Sequence, residues 1–238
     1  MAADANHFAS CDLEASTAAC WLTTTVAADQ RFFRYHYLEG IVYSLLSYRF
    51  VTPVHASCVA VGEAGALLSG PPGTGKSCLA YACARAGLTF VSDDVGYLLQ
   101  GDADGRLAGR PRFLRLRPSA LTIFPELEAE PVGADIDGEP ILEIQVDQRA
   151  GIATAPGCAV KAVLFLERLP AGEAAISAVS PQSALELLVE ELPVIGEPAN
   201  RKQVQSLESL VRRGAYRLTY SGLGSAVSQV RLLIETGQ

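Results

Sequence analysis

Residues 55–97 read HASCVAVGEAGALLSGPPGTGKSCLAYACARAGLTFVSDDVGY, and the order of short elements in this stretch decides the fold. Two apolar runs, Ala56–Val61 and Ala66–Ser69, are separated only by Gly62-Glu63-Ala64-Gly65. A parallel crossover takes about a dozen residues or more, so these runs predict an antiparallel hairpin. Gly70-Pro71-Pro72-Gly73-Thr74-Gly75-Lys76-Ser77 then satisfies GxxxxGK[ST], the Walker A pattern, at every fixed position. Residues 76–86 predict a helix with Gly87 in the stop position, and Leu88–Ser92 a buried strand that delivers Asp93-Asp94.

The pattern has a physical grammar. Glycines let backbone N–H groups close around phosphate oxygens, and the following helix presents its positive amino end. Lys76 would reach the β- and γ-phosphates and the Ser77 hydroxyl would hold Mg²⁺. Gly70, Pro71, Pro72, Gly73, Thr74, Gly75, Lys76, Ser77 and Cys78 are therefore the candidate nucleotide-binding residues, with ATP and Mg²⁺ the implied cofactors. The wording GPPGTGKS is also that of AAA+ ATPases, which need a parallel sheet and a later apolar strand ending in Asp-Glu. The nearest such strand, Leu164-Phe165-Leu166-Glu167-Arg168, lacks the Asp, and no NKxD-type sequence supports a GTPase.

Residues 55–97 as a whole resemble the catalytic core of the HPr kinase/phosphorylase family. In that family a His opens a strand, a short turn leads to the phosphate-loop strand, and a helix leads to a strand ending in Asp-Asp. Here His55 stands 21 positions before Lys76 and Asp94 stands 18 after it, intervals that match the family pattern. The resemblance is specific over about forty residues and general beyond, through LFLER (164–168) and the C-terminal helix. It implies an α/β chain with the HPr kinase / phosphoenolpyruvate-carboxykinase-like P-loop fold, whose sheet is mixed and partly antiparallel. Relatives in the family form hexamers, so a homo-oligomer is among its implications. The chain has no counterpart of the family's second signature, an Arg-Gly-Leu-Gly stretch tied to phosphorylase activity and to the acidic Mg²⁺ ligand. With about fifty residues before the core, it is more like the HPr-kinase-related proteins, some of which tailor peptides by phosphorylating serine.

Phosphoryl transfer needs positioning, charge neutralisation and a group to take the acceptor's proton. Asp94, at a strand end beside the loop, is the candidate base, and Asp93 either holds Mg²⁺ or caps the turn. If Val61 pairs near Ala66, His55 falls beside Pro72, where it would contact phosphate or hold the aspartate. The catalytic set is thus Asp94, His55 and Lys76, and the metal set Ser77 and Asp93.

Outward from this core, residues 37–48 predict an apolar helix closed by Pro53, and residues 1–30 a strand or two at the edge. Tyr97–Gln100 and Arg106–Ala108 flank Gly-Asp-Ala-Asp-Gly as a hairpin, and Ile136–Ile144 predicts another around Asp137-Gly138. Val160–Leu166 is the central-strand candidate. Helices are expected from Pro181, capped by Ser180, over 199–213, and over Ala226–Glu235, with a strand at Tyr216–Tyr220. The predicted organisation is a small N-terminal segment, 1–50, packed on a P-loop kinase domain, 51–238.

Segment 106–117 holds five arginines and no acid, while eight acids and no base lie between 118 and 148. Alternation puts Arg115 and Arg117 on one strand face with Phe113. They would either contact an acidic or phosphorylated substrate or form a solvated face paired with the acidic segment that follows.

The 238 residues are 49% hydrophobic and 19% charged, which excludes general disorder. A formal charge of −7 argues against nucleic acid as partner. The first thirty residues have neither a positive start nor an apolar run, and no stretch approaches the ~18 apolar residues of a membrane span. The six cysteines are scattered, which supports neither zinc nor a disulfide framework and suits a reducing cytoplasm. The resulting expectation is a cytoplasmic ATP-dependent kinase acting on a hydroxyl, serine foremost, of a small protein or peptide, without membrane or nucleic-acid partners. The alternatives are a nucleotide-binding regulatory or scaffold protein without transfer activity, and an AAA+-type ATPase.

Overall fold

The computed structural model describes residues 6–134, 138–197 and 199–237. In chain order the elements are β1 (Phe8–Asp12), β2 (Thr17–Trp21), α1 (Thr24–Ala28), α2 (Gln30–Phe33), α3 (Glu39–Arg49), β3 (Val51–Val54), β4 (Ala56–Val61), β5 (Ala64–Ser69) and α4 (Lys76–Arg85). Short strands follow: β6 (Thr89–Ser92), β7 (Gly96–Leu99), β8 (Arg106–Ala108), β9 (Phe113–Leu116), β10 (Val132–Ala134) and β11 (Pro140–Gln145). The last third holds β12 (Gly157–Arg168), β13 (Ala175–Ala178), α5 (Pro181–Val189), α6 (Ala199–Val211), β14 (Ala215–Tyr220) and α7 (Leu223–Thr236).

The apolar run at 160–166 forms the middle of β12, the axis of a mixed sheet that has nine strands among the described residues. β12 runs parallel to β5 on one side and to β14 on the other, and its first residues pair antiparallel with β8. Alternation then divides its side chains. Ala162, Leu164 and Leu166 enter a core with Leu79 of α4 and Val230 and Leu233 of α7. Val163 and Phe165 face the opposite way, onto Leu188 of α5 and Leu207 and Leu210 of α6. A bulge between Val160 and Ala162 reverses this parity, which is why Cys158 and Val160 join the second core while Lys161 is exposed. Helices therefore cover both faces of the sheet; its mixed strand directions are those the sequence predicts.

The hairpin after Val61 turns in two residues, Gly62-Glu63, with Gly62 in a left-handed conformation (φ 57°). A glycine in the first position of a two-residue loop suits the twist of antiparallel strands. This corrects the expected register: Val61 pairs with Ala64, not near Ala66, and Ala56 with Ser69, so the frame extends His55 toward Gly70 rather than Pro72. Pro53 does not close the preceding helix. The helical run covers 30–49 through a π turn at Arg34–Leu38, and Pro53 lies within β3, paired with Tyr97. β3 ends the order of the main sheet, and an edge strand tolerates the missing N–H of proline. Of residues 1–30, β1 and β2 form a separate two-stranded sheet rather than an edge of the main one. Tyr37 and Ile41 pack against Ala9 of β1, and Gln203 of α6 donates to the Ser47 carbonyl.

β7 and β8 form the hairpin expected around 101–105, where Asp102 Oδ1 accepts from the N–H groups of Asp104 and Arg106. Ile136 and Asp137 of the other expected hairpin lie outside the described residues; its flanks, β10 and β11, pair antiparallel with Val132 opposite Leu142. β11 also pairs with β9, which puts Glu143 opposite Arg115.

Candidate active site

Because β5, β12 and β14 are parallel, their carboxyl ends lie side by side, and residues 70–75 leave β5 at this edge to start α4. Gly75 caps that helix in a left-handed conformation (φ 94°) that side chains rarely adopt, and Gly70 and Gly73 also have positive φ, 148° and 87°. The helix begins at once, since Leu79 N–H donates to the Gly75 carbonyl at 2.8 Å. The N–H groups ahead of it have no intrahelical acceptor and supply donors for an anion. Within the loop, the Thr74 hydroxyl donates to the Pro71 carbonyl at 2.8 Å. Lys76 folds back so that its Nζ donates to the Gly70 carbonyl at 2.6 Å. Burial pushes the Lys76 ammonium below its ordinary pKa, while the negative fields of Glu191, Asp94 and Asp93 oppose the shift.

Asp93 and Asp94 diverge at the end of β6. Asp93 turns inward: its Oδ1 accepts from the Ser77 hydroxyl at 2.7 Å and the Ser57 hydroxyl at 2.8 Å, and its Oδ2 from the Arg115 backbone N–H at 3.0 Å. Burial pushes its carboxyl above the usual range; the three hydrogen bonds pull it down, and the neighbouring Asp94 charge adds to the rise. Among the described residues, no group of three or more His, Cys, Asp or Glu side chains could hold a metal ion. The hard oxygens of Ser77 and Asp93 nevertheless fit Mg²⁺, which characteristically takes one or two protein ligands and completes its shell with water and phosphate oxygens.

Asp94 turns outward. Its φ of 67° is left-handed, a conformation that aspartate tolerates better than most side chains, and its side chain is 64% exposed. His55 Nε2 lies 3.7 Å from Asp94 Oδ1. A strand-opening histidine and a strand-ending aspartate, 39 residues apart, thus meet because β4 lies between β5 and β6.

The structure gathers His55, Lys76, Ser77, Asp93 and Asp94 around one loop. It places Arg115 there through its backbone, while the Arg115 side chain leaves to pair with Glu143 at 3.1 Å. The Arg117 side chain is exposed just beyond β9. Cys78, half-buried in the first turn of α4, has its thiol pushed up by burial, with Arg168 pulling the other way.

Four residues that the sequence reading does not place at the site also belong here. Ser57 was legible in principle, because a period of two puts it on the His55 side of the strand. Tyr220 and Glu191 carry no local signal, and Arg168 enters the sequence reading only as the end of the LFLER strand, without a role at the site. The Tyr220 hydroxyl, at the end of β14, donates to the Thr74 carbonyl at 2.7 Å. Its phenol is pushed up to about 12, by burial first, against the opposing field of Arg168. Arg168 ends β12 opposite Tyr220, and Glu191 follows α5.

No protein-family model and no curated protein matches the sequence. Among solved structures, the HPr(Ser) kinase/phosphatase from Coxiella burnetii is similar to this chain at 15% identity and a TM-score of 0.37, over 78% of this chain and 93% of that one.

Proposed function

We propose that this protein is an ATP- and Mg²⁺-dependent kinase that transfers the γ-phosphate to a hydroxyl, serine foremost, of a small protein or peptide. The observation that carries the reading is the division of labour within Asp93-Asp94. One carboxylate is tied to the phosphate-loop serine, and the other is exposed 3.7 Å from a histidine. A purely structural turn has no use for a second carboxylate held outward in a left-handed conformation beside a Walker A loop. The resemblance of residues 55–97 to the HPr kinase core supports the same assignment.

In this reading the N–H groups of the loop and the amino end of α4 hold the phosphates of ATP. Lys76 exchanges its bond to the Gly70 carbonyl for phosphate oxygens. Ser77 and Asp93 would hold Mg²⁺, which neutralises charge on the phosphates. Asp94 accepts the proton of the acceptor hydroxyl as its oxygen bonds to the γ-phosphorus; the bond to the β–γ bridging oxygen breaks and ADP leaves. His55 orients Asp94. Of Arg115 and Arg117, it is Arg117 whose exposed side chain would meet an acidic or phosphorylated acceptor, because the Arg115 side chain pairs with Glu143. The setting proposed is the cytoplasm; among the described residues no helix is long and apolar enough to cross a membrane.

The test is transfer of labelled γ-phosphate from ATP into host-cell extract, with mass spectrometry of the labelled species and the Lys76→Ala protein as control. Label on a serine-containing protein or peptide above that control supports the kinase. Tight ATP binding with no transfer across a broad acceptor panel favours a regulatory nucleotide-binding protein instead.

A further inference from the structure

At the β7–β8 hairpin, near the start of β12 and thus toward the end of that strand opposite the phosphate loop, a cavity of about 490 Å³ opens against α6. Its walls carry three cations, Arg49, Lys202 and Arg213, and one acid, Asp102. That balance is unusual for this chain, whose formal charge is −7. Elsewhere eight arginines have a carboxylate partner. Among the described residues none of these three cations does. Arg49 and Arg213 donate only to backbone carbonyls, those of Glu14 and Ala103. The Oδ1 of Asp102 is committed to the N–H groups of Asp104 and Arg106 at 2.8 and 3.1 Å. The Arg213 Nε–H is buried without any acceptor, an unmet donor of the kind that folded chains seldom leave.

The helix arranges one of these cations beside two hydroxyls. Lys202, Ser206 and Ser209 recur at spacings of four and three, which puts them on one face of α6, and all three line the cavity. The Ser206 hydroxyl donates to the Lys202 carbonyl at 3.0 Å, which leaves the arginine forks, the Lys202 ammonium and the Ser209 hydroxyl as a donor set for phosphate oxygens. The local excess of two positive charges matches a phosphate monoester near neutral pH, at about −1.5 to −2.

We infer that this cavity binds a small phosphate-bearing molecule, at a site separate from the phosphate loop. The inference stands independently of the kinase reading. The test is calorimetric titration of inorganic pyrophosphate into the full chain carrying Lys76→Ala, so that the phosphate loop contributes little, at low ionic strength. One site is expected, weakened by added salt, with affinity about tenfold lower in Lys202→Gln and in Arg213→Gln. Arg213 also holds Ala103, whereas the Lys202 side chain is exposed, so Lys202→Gln keeps the result readable if Arg213→Gln unfolds. Absence of binding, or an affinity unchanged in Lys202→Gln, overturns the site. Equal binding of succinate overturns its assignment to phosphate.

Discussion

The Tyr220 hydroxyl donates to the Thr74 carbonyl oxygen at 2.7 Å, joining the end of β14 to the glycine-rich loop of residues 70–75 across 146 residues. In a planar trans peptide the C=O and the following N–H point in opposite directions. Holding the Thr74 carbonyl outward therefore turns the Gly75 N–H into the loop. Tyr220→Phe keeps the ring and removes only this bond, so a stability loss of about 1 kcal/mol is expected. Affinity for ATP should fall severalfold while the turnover of bound ATP changes little. Isothermal titration with ATP, set beside the KM and kcat of transfer, checks both.

Asp93 and Asp94 should separate by experiment. Asp94→Asn should leave ATP binding near the parent value and abolish phosphate transfer, because the amide cannot accept the acceptor's proton. Asp93→Asn should weaken Mg²⁺-dependent binding of ATP and leave Mg²⁺-free binding largely intact. Equilibrium titration with and without Mg²⁺, alongside single-turnover transfer, distinguishes them; undiminished transfer by Asp94→Asn removes it as the base.

The buried carboxyl of Asp93 also sets a pH dependence. Its pKa in the folded chain is raised, so the native state holds this proton more tightly than the unfolded chain, where an aspartate has a pKa of about 3.9. That contribution to stability is fully present below the unfolded value and is lost as pH rises through the folded one. Asp93→Asn carries no such proton, so its stability relative to the parent should increase with pH across this window and then level off. Chemical denaturation of both proteins over the acid range measures the trend; a difference that is flat, or that falls with pH, contradicts it.

Gly75 tests the loop's backbone. A β-carbon there would meet the Tyr220 hydroxyl at 2.8 Å, and its φ of 94° would strain any side chain. Gly75→Ala should cost about 1–3 kcal/mol, and adding Tyr220→Phe should recover only part of this, since the ring loses its oxygen but φ stays strained. Thermal melts of the single and double variants give the coupling.

Arg115, within β9, and Arg117, just beyond its end, should differ. The Arg115 guanidinium is occupied by Glu143, in an exposed pair expected to contribute no more than about 1 kcal/mol. Arg117→Ala should therefore raise KM for an acidic acceptor more than Arg115→Ala does, with kcat nearly unchanged in both. Steady-state kinetics on the identified acceptor decides.

Local chemistry was enough to read the glycine-rich loop, its helix and the strand on each side. Glycine placement, apolar run length and the GK[ST] grammar act within a few residues of each other. The mixed sheet was legible for a related reason, since too few residues separate β4 from β5 to allow a crossover. Reading stopped where register mattered: a two-residue turn at Gly62-Glu63 and a four-residue one differ little in sequence, yet they move His55 by two positions along the loop. The Pro53 assignment failed similarly, because an edge strand and a helix end tolerate proline for different reasons, and only the sheet order says which applies.

The sequence by itself determined that a glycine-rich loop of Walker A pattern follows a hairpin and precedes an Asp pair, since each of those features is written in consecutive residues. Only the tertiary structure decided which aspartate faces Ser77, that Arg115 serves the site through its backbone, and that Tyr220 holds Thr74. Those contacts join residues from 16 to 146 positions apart. Tyr220 reaches Thr74 because β14 and β5 flank β12 and end at one edge of the sheet, and Asp93 reaches Ser77 because β4 pairs antiparallel with both β5 and β6 and so sets their carboxyl ends toward one edge, proximities that no local sequence pattern encodes.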